Sequence, residues 1–468
     1  MNNASGPPPA PSIRDIVSLR RGEISIVGLA RSGRAAAKLL AAKGNKVYAS
    51  DSGTDEQLAK VESELTERGI TVDVGHHDME RLRKSALVVA SPGVPPDAPP
   101  LEAAREAGVP IASEIEIGLL FLRQQRYIAI TGTNGKTTTT TLVARLLQAA
   151  GRTATAAGNI GMPLTEVAAQ EKPPEWIALE VSSFQLHDTP SIDPTIGILT
   201  NLSANHLDRY ASKEEYYADK GLLFRNATAR SRWISNADDP DSGRMMSSVP
   251  GDQRRFSTQR QADAWFDREN DTLMVLRHPL IQRSELPLLG DHNVANVLAA
   301  SLAVMLADTA NQEPGAIQKI SDALRRFDAL EHRIEPVATK GGVTWINDSK
   351  STNVASTLVA MRGMRQPTVL LLGGRHKGEP YTALADELRR TGRAVIAYGE
   401  SAPLVEGDLK GVVPVHRLGS SFDEVIAAAR QAARPGDAVL LSPACSSYDM
   451  FDNYEERGRI FKEKVQAL

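Results

Sequence analysis

Short apolar segments alternate with longer amphipathic segments in three stretches of the chain. Apolar runs that end at Gly, Asp or Ser are typical of buried parallel strands, and longer segments with a period near 3.6 are typical of helices. The predicted strands cover 23–28, 46–50, 87–90, 127–130, 176–181, 195–200, 343–346, 369–372, 394–398 and 438–441, and the predicted helices cover 35–43, 138–149, 213–224, 293–308, 381–390 and 422–433. This alternation predicts an α/β fold built on parallel sheets.

The three stretches meet near residues 114 and 330. Between 236 and 287 the pattern weakens and predicts short antiparallel strands. A chain of 468 residues is long enough for three domains, at roughly 150 residues for each domain. We predict domains at 1–114, 115–329 and 330–468, with residues 1–12, which include four prolines, as a disordered tail.

The composition argues against several classes of protein. The chain has 54 basic and 57 acidic residues, a net charge of -3, so nothing indicates a nucleic-acid or membrane-surface binder. One cysteine excludes an intramolecular disulfide framework and a cysteine-rich zinc module. No uncharged apolar run is long enough to span a bilayer, and the polar, proline-rich start does not resemble a signal peptide. We expect a cytoplasmic globular protein and a monomer.

The most informative segment is Gly132-Thr133-Asn134-Gly135-Lys136-Thr137, which lies between a predicted strand and a predicted helix. Glycines at these positions let backbone N–H groups curl around phosphate oxygens, and the helix N-terminus favours negative charge. Lys136 is placed to reach the β- and γ-phosphates, and the Thr137 hydroxyl to bind Mg²⁺. Ile130 stands where the general phosphate-loop pattern has its first glycine. The segment predicts binding of a nucleoside triphosphate.

This loop resembles the ATP loop of the Mur ligases, the amide-forming enzymes of peptidoglycan precursor synthesis, and that of the related folylpolyglutamate synthetases. Further segments follow in the family's order and resemble the branch that adds D-glutamate. They are GNIG at 158–161, LEVSSFQL at 179–186, NHLDRY at 205–210, YADK at 217–220, HNxxN at 292–296, HR at 332–333, NDSKSTN at 347–353 and SPACSS at 442–447. The resemblance extends from about residue 23 to the end of the chain.

The resemblance implies a Rossmann-like N-terminal domain that binds a UDP-sugar, a central P-loop ATPase-like domain with a parallel sheet that binds ATP and Mg²⁺, and a Rossmann-like C-terminal domain that binds glutamate. The implied reaction joins the L-alanine carboxylate of UDP-N-acetylmuramoyl-L-alanine to the amine of D-glutamate. It consumes ATP through an acyl phosphate and a tetrahedral intermediate, with no nucleic-acid or membrane partner. Because D- and L-glutamate carry the same charges, the residues alone do not decide the stereochemistry.

The resemblance also implies a set of catalytic and metal-binding residues. Glu180 ends an apolar strand, where an unpaired carboxylate is costly to bury. A lysine at position 220 that reacts with CO₂ becomes an anionic carbamate, and this reaction requires a neutral amine, so its pKa must be lowered. The implied catalytic residues are Lys136, Glu180, His206 and Lys220, and two Mg²⁺ sites are formed by Thr137, Glu180, His206 and carbamylated Lys220.

Two further sets of residues match the ATP-binding and glutamate-binding positions of similar enzymes. Asn293 and Asn296 also suit the start of a helix, where asparagine is a good capping residue. The ATP-binding set is Gly132, Thr133, Asn134, Gly135, Lys136, Thr137, Thr138, Asn293, Asn296, Arg333 and Asp348, and the glutamate-binding set is Lys350, Thr352, Lys377, Ser447, Tyr448 and Tyr454. Tyr448 and Tyr454 depart from the aliphatic residue and the phenylalanine common there. Cys445 is predicted to be a small buried residue.

The segment from Gly28 to Gly33, with Asp51 further on, has an alternative interpretation. It approaches the dinucleotide fingerprint G-x-G-x-x-G, but Ala30 replaces the second glycine and weakens that interpretation. By resemblance this region binds the UDP end of the sugar nucleotide, through Arg31, Ser32, Gly33, Asp51, Ser52, Ser91, Pro92, Gly93 and Asn159. A folylpolyglutamate synthetase and an NAD(P)-binding oxidoreductase or sensor remain the two alternatives.

Overall fold

The computed structural model describes residues 12–203, 205, 210–288, 290–327 and 331–468. Within these ranges the strands form three sheets, one in each of the three stretches of the sequence. None of the helices in the described ranges is both long enough and apolar enough to cross a bilayer.

The first sheet holds five parallel strands in the order β3-β2-β1-β4-β5. The strands are β1 (Glu23–Val27), β2 (Lys46–Asp51), β3 (Thr71–Val74), β4 (Leu87–Ala90) and β5 (Ile111–Ser113), and the helices are α1 (Ile13–Ser18), α2 (Arg31–Ala42), α3 (Glu56–Thr66), α4 (Met79–Arg83), α5 (Pro99–Glu106) and α6 (Glu114–Phe121). The strand order reverses between β1 and β4, and ligands of open α/β sheets bind at such a point.

The second sheet has nine strands in the order β14-β13-β12-β11-β10-β9-β6-β8-β7. Its strands are β6 (Arg126–Thr131), β7 (Ala154–Gly158), β8 (Trp176–Glu180), β9 (Ile196–Leu199), β10 (Arg232–Asn236), β11 (Asp252–Ser257), β12 (Ala264–Asp267), β13 (Thr272–Val275) and β14 (His278–Gln282). Its helices are α7 (Lys136–Ala149), α8 (Leu164–Ala168), α9 (Ser183–His187), α10 (Lys213–Gly221), α11 (Pro240–Met246), α12 (Asp291–Ala307) and α13 (Pro314–Arg325), and its 3₁₀ turns are Leu222–Phe224, Arg283–Glu285 and Thr309–Gln312. Only the pairings of β12 with β13 and β13 with β14 are antiparallel among these strands.

The third sheet has six strands in the order β15-β16-β20-β17-β18-β19, with β15 antiparallel to its neighbour. The strands are β15 (Glu335–Lys340), β16 (Val343–Asn347), β17 (Thr368–Gly373), β18 (Gly392–Tyr398), β19 (Val415–Arg417) and β20 (Ala438–Leu441). The helical segments are α14 (Val354–Gly363), a 3₁₀ turn (Tyr381–Leu384), α15 (Ala385–Thr391), α16 (Ala402–Asp408), α17 (Phe422–Ala432) and α18 (Tyr454–Gln466).

The apolar cores follow this arrangement. One cluster is shared between the first two sheets and contains Ile26, Ile115, Leu164 and Leu179. A second cluster fills the other face of the central sheet under α12, and two more cover the faces of the third sheet. The first two sheets therefore pack on common apolar surface, whereas the core of the third sheet is its own.

The predicted α/β architecture with parallel sheets is confirmed, and each predicted strand is present. The helix predicted at 35–43 is wrong at its start, because α2 begins at Arg31. Gly33 allows this early start, since a Cβ there would lie 1.8 Å from the Gly28 carbonyl oxygen. The antiparallel strands expected at 236–287 are only partly present. β11 and β12 pair in parallel and continue the parallel sheet, whereas β13 and β14 pair antiparallel. The helix predicted at 381–390 starts with a 3₁₀ turn.

Candidate active site

The phosphate loop connects β6 to α7, as the sequence predicts. Gly132 and Gly135 both have positive φ, at 142° and 82°. A Cβ on Gly132 would lie 2.0 Å from Thr200 Oγ1, and a Cβ on Gly135 would lie 2.3 Å from Asn296 Oδ1. Both positions therefore need glycine for their backbone conformation and for space. Gly135 is the N-cap of α7 and supplies no side-chain acceptor, so the first N–H groups of the helix are available to an anion.

Polar contacts hold this loop against the end of β9. Asn201 accepts the Thr133 N–H with its carbonyl oxygen and the Asn134 N–H with Oδ1, each at 2.9 Å. The Lys136 ammonium donates to the carbonyl oxygens of Gly132 and Thr133 at 2.9 and 2.8 Å. Burial lowers the pKa of Lys136, and the charge of Arg333 acts in the same direction. The loop is thus preorganised, with a lysine whose partners are neutral oxygens that a phosphate can replace.

Glu180 ends β8 and is 2% exposed. Its Oε1 accepts a 3.0 Å hydrogen bond from Asn159 Nδ2. Its Oε2 is buried and has no hydrogen-bond partner among the described residues. A buried carboxylate oxygen without a partner is costly, and a cation would satisfy it. The side chain therefore fits the metal-binding role that the sequence predicted.

Lys220 lies near the end of α10 and is 1% exposed. Burial is the largest cause that lowers its pKa well below the ordinary value, the charge of Lys136 adds to this, and Glu180 and Asp219 oppose it. Its Nζ lies 4.7 Å from the centre of the Tyr216 ring. An amine in these surroundings is neutral far more often than a surface lysine, which is the form that reacts with CO₂.

The structure describes three of the four predicted metal-binding residues, Thr137, Glu180 and Lys220. His206 lies outside the described residues. Within those residues no group of three His, Cys, Asp or Glu side chains is placed to hold a metal ion. The predicted set instead combines a hydroxyl, Thr137, at the start of α7 with Glu180 and Lys220, and the charges of Lys136 and Glu180 both act on Lys220.

A cavity of about 470 Å³ lies beside the phosphate loop, between the central and third sheets. Of the predicted ATP-binding residues, Asn134, Gly135, Asn296, Arg333 and Asp348 line it. Arg333 Nε is buried and has no hydrogen-bond partner within the described ranges, so a phosphate or ribose oxygen would satisfy it. His292, the first residue of the HNxxN motif, also lines it. Sequence reasoning missed further lining residues, namely Asn236, Asp238, Phe256, Thr258 and Ser356. These come from segments without a recognisable motif.

Burial shifts the pKa of two titratable groups that line this cavity, His292 and Asp348. The pKa of His292 falls to about 4, mainly through burial and also through the charge of Arg333, so the imidazole is neutral at pH 7. Burial raises the pKa of Asp348 to about 6, although hydrogen bonds from Ser351 and Ser442 act against the shift. Ser442 donates to Asp348 Oδ2 at 2.7 Å, and the Ile334 N–H donates to Oδ1 at 3.2 Å.

The predicted glutamate-binding residues lie at the carboxyl ends of the third sheet. Lys377 Nζ donates to Thr352 Oγ1 at 3.4 Å, and Lys350 Nζ lies 5.3 Å from the centre of the Tyr454 ring. Burial lowers the pKa of Lys350 to about 8, against the charge of Glu180. Ser447 is buried, whereas Tyr448 is 66% exposed.

The buried Arg457 side chain connects two of these loops. Arg457 in α18 donates from Nε and Nη2 to Ser349 Oγ and the Ser349 carbonyl at 2.9 and 2.8 Å, and from Nη1 to the Cys445 carbonyl at 3.2 Å. It thereby joins the segment that carries Lys350 to the segment that carries Ser447. The prediction that Cys445 is buried is confirmed, and the Tyr381 hydroxyl lies 2.9 Å from its sulfur.

Except for Asn159, the predicted UDP-sugar residues lie at or just after the ends of β1, β2 and β4, near the point where the order of the first sheet reverses. Asp51 accepts the Leu29 N–H at 2.7 Å and the Gly53 N–H at 2.9 Å, so it fixes the two loops that follow β1 and β2. Arg31 pairs with Glu166 of α8 at 4.0 Å. Ser91 and Pro92 line a second cavity, of about 360 Å³, between the first and central sheets. Asn159 is bonded to Glu180 and so lies at the proposed metal site.

Sequence comparisons extend over nearly the whole chain. Residues 22–113 match the Mur ligase MurD-like N-terminal domain, residues 130–304 the Mur ligase middle domain, and residues 332–445 the Mur ligase glutamate ligase domain. The UDP-N-acetylmuramoylalanine–D-glutamate ligase of Koribacter versatilis is 40% identical over 458 residues, 97% of this chain and 99% of that protein. The enzyme of the same name from Salinibacter ruber is 39% identical over 467 residues, 96% and 99% of the two chains.

Solved structures share the fold at low identity. The UDP-N-acetylmuramate–alanine ligase MurC of Thermotoga maritima has a TM-score of 0.60 at 19% identity and covers 96% of this chain and 100% of its own. MurF of Acinetobacter baumannii has a TM-score of 0.62 at 15% identity, with 91% of both chains covered. The family resemblance predicted from the motifs is confirmed by these matches: the chain belongs to the Mur ligase family.

Proposed function

We propose that this protein is the ATP-dependent ligase that adds D-glutamate to UDP-N-acetylmuramoyl-L-alanine in peptidoglycan precursor synthesis. The observation that carries the proposal is the identity of about 40% with ligases of that name over 97% of the chain. The preorganised phosphate loop supports the ATP-dependent chemistry, and so does Glu180 Oε2, which has no hydrogen-bond partner in the described part of the chain. We also propose that residues 1–114, 115–329 and 330–468 act as the UDP-sugar, ATP and glutamate domains.

The phosphate loop would hold ATP through Gly132 to Thr138. The N–H groups at the start of α7 would bind phosphate oxygens, and Lys136 would exchange its two carbonyl partners for the β- and γ-phosphates. Asn293 and Asn296 at the start of α12 would contact the adenine, and Arg333 and Asp348 would reach the phosphates and ribose across the cavity between the domains.

Thr137, Glu180, His206 and a carbamate on Lys220 would hold two Mg²⁺ ions. Bound Mg²⁺ would neutralise phosphate charge during phosphoryl transfer. The support is chemical: a buried carboxylate oxygen lacks a partner within the described part of the chain, and a buried lysine has the lowered pKa that reaction with CO₂ requires. The carbamate turns a cation that would repel metals into an anionic oxygen ligand.

The substrates would meet between the three domains. Arg31, Ser32, Gly33, Asp51, Ser52, Ser91, Pro92, Gly93 and Asn159 would hold the sugar nucleotide, and Lys350, Thr352, Lys377, Ser447, Tyr448 and Tyr454 would hold glutamate. An oxygen of the L-alanine carboxylate attacks the γ-phosphorus, and ADP leaves. The glutamate amine then attacks the acyl carbon, loses a proton, and the tetrahedral intermediate expels phosphate. Lys350 and Lys377 neutralise the two carboxylates of glutamate.

The test is phosphate release from ATP with Mg²⁺ and UDP-N-acetylmuramoyl-L-alanine, in parallel with D-glutamate, L-glutamate and no amino acid. Release that requires both the nucleotide sugar and D-glutamate supports the proposal. Release with L-glutamate alone changes the product and keeps the mechanism. Release only with a reduced folate and glutamate favours a folylpolyglutamate synthetase. Tight NADH binding without ATP turnover favours the oxidoreductase alternative.

A further inference from the structure

Helix α6 connects the first sheet to the central sheet and carries two buried carboxylates. Glu114 is 0% exposed and Glu116 is 2% exposed. Glu114 Oε1 accepts hydrogen bonds from the N–H and the Oγ1 of Thr165, at 2.5 and 2.6 Å. Glu116 Oε2 accepts the N–H and Oγ of Ser191 at 3.0 and 2.8 Å. The helix is therefore hydrogen-bonded to the central domain at two points, each time through a carboxylate that accepts from a backbone N–H and a hydroxyl.

The two contacts lead to different places in the central domain. Thr165 stands in the first turn of α8, which follows directly on the loop 158–163. The helices approach closely here, since a Cβ on Gly118 of α6 would lie 2.6 Å from Leu164 Cγ. Ser191 instead belongs to the segment between α9 and β9. Only the Glu114 contact is adjacent to the loop that carries Asn159.

The loop 158–163 is closed by an internal hydrogen bond and is also hydrogen-bonded to Glu180. The Gly158 N–H donates to the Met162 carbonyl at 3.0 Å. The Asn159 N–H donates to the Glu180 carbonyl, and Asn159 Nδ2 donates to Glu180 Oε1, both at 3.0 Å. Gly158 lies so close to β8 that a Cβ on it would be 2.3 Å from the backbone carbonyl oxygen of Glu180. The loop that leads into α8 therefore helps to orient the Glu180 carboxylate through the side chain of Asn159.

We propose that Glu114 is a positioning residue for Glu180, acting through Thr165, α8 and Asn159. The side chain is fully buried, so it acts through other residues, and its effect on the metal site rests on the proposed function. The contact holds the start of α8, which directly follows the loop, so that Asn159 can donate to Oε1 and leave Oε2 for a cation. A link of this kind also couples the connection between the first two domains to the metal-binding carboxylate.

The test compares Glu114→Ala with Glu114→Gln and with the matched control Glu116→Ala. Hydrogen–deuterium exchange of residues 158–163 measures the mechanical link without substrate or metal. Titration with Mn²⁺ alone, in bicarbonate buffer and followed by electron paramagnetic resonance, measures the metal site. We expect Glu114→Ala to speed exchange of 158–163 about tenfold and to weaken Mn²⁺ binding about tenfold, because the buried acceptor of the two Thr165 hydrogen bonds is lost. Glu114→Gln keeps the Oε1 acceptor and should stay within about threefold of the unsubstituted chain.

The control separates positioning from general loosening of the domains. Glu116→Ala should speed exchange around 189–193 and leave 158–163 and Mn²⁺ affinity unchanged. The proposal is overturned if Glu114→Ala leaves exchange of 158–163 unchanged, or if Glu116→Ala alters that segment equally. If Glu114→Ala does not fold, Thr165→Val, which removes the Oγ1 donor at similar volume, decides by the same two measurements. If the unsubstituted chain binds no Mn²⁺, the metal site fails, and exchange still decides the link.

Discussion

The Ser356 hydroxyl of α14 donates a 2.8 Å hydrogen bond to Asn134 Oδ1 in the phosphate loop. This contact joins the third domain to the loop that would hold the ATP phosphates, and both residues line the cavity between the two domains. The third domain therefore contacts the proposed nucleotide site. Contact of this kind excludes water from a reactive phosphate and completes a site only when the domains meet.

The first prediction concerns this contact. Ser356→Ala should raise KM for ATP by two- to tenfold, because a hydrogen bond contributes about 0.5–1.5 kcal/mol. Asn134→Ala should have at least the same effect, and the double variant should show less than the product of the two. A double-mutant cycle on kcat/KM for ATP measures the coupling. Strictly multiplicative effects would mean that the contact is not used during turnover.

The second prediction concerns Lys220. Lys220→Ala should lower kcat by about a hundredfold or more, since an anionic metal ligand would be lost. Formate or acetate should restore part of the activity by supplying a small carboxylate to the space left behind. Lys213→Ala, an exposed lysine of the same helix, is the control and should keep its activity. Full activity of Lys220→Ala without added carboxylate would exclude the metal-binding role.

The third prediction separates backbone strain from ligand binding. Gly135→Ala and Gly151→Ala both place a side chain at positive φ, 82° and 87°. Each should cost roughly 1–2 kcal/mol of stability. Only Gly135→Ala should also abolish ATP binding, because its Cβ would meet Asn296 Oδ1, whereas no described residue beyond its chain neighbours lies within 4 Å of a Cβ on Gly151. Calorimetric titration with ATP checks this difference, and equal affinities in the two variants would contradict it.

The fourth prediction is a pH dependence of stability. Burial raises the pKa of Glu114 from 4.5 to about 7, against hydrogen bonds from Thr165 and with a small contribution from Glu166. The folded protein therefore binds this proton more tightly than the unfolded chain does. The stability from this group is fully present below pH 4.5 and is lost as the pH rises through 7. The loss amounts to about 3 kcal/mol at most.

Urea denaturation between pH 4.5 and 8 tests this sign. The free energy of unfolding of the unsubstituted protein should fall relative to Glu114→Gln as the pH increases. The variant cannot ionise at this position, so it removes this one contribution and leaves the other carboxylates as the shared background. A constant difference between the two proteins, or one that grows in favour of the unsubstituted protein, would contradict the prediction.

The sequence by itself determined the local chemistry. Gly132 and Gly135 were recognisable because a phosphate loop needs positive φ and no side chain, and these requirements act within a few residues. The strands and most helices followed from apolar periodicity for the same local reason. The start of α2 was misplaced because the helix begins among polar residues, Arg31 and Ser32, that close packing at Gly33 against Gly28 permits.

Only the tertiary structure decided which distant residues share a site. Glu180 could be picked out as a strand-end carboxylate, but its bond to Asn159 depends on how β7 and β8 pair. The same tertiary packing leaves its Oε2 without a hydrogen-bond partner among the described residues. The roles of Ser356, Arg457 and Glu114 carried no signal in the sequence, because each arises from contacts between elements far apart in the chain. Burial likewise set the pKa values of Lys220 and Glu114, since solvent is excluded by the whole fold and not by neighbouring residues in the chain.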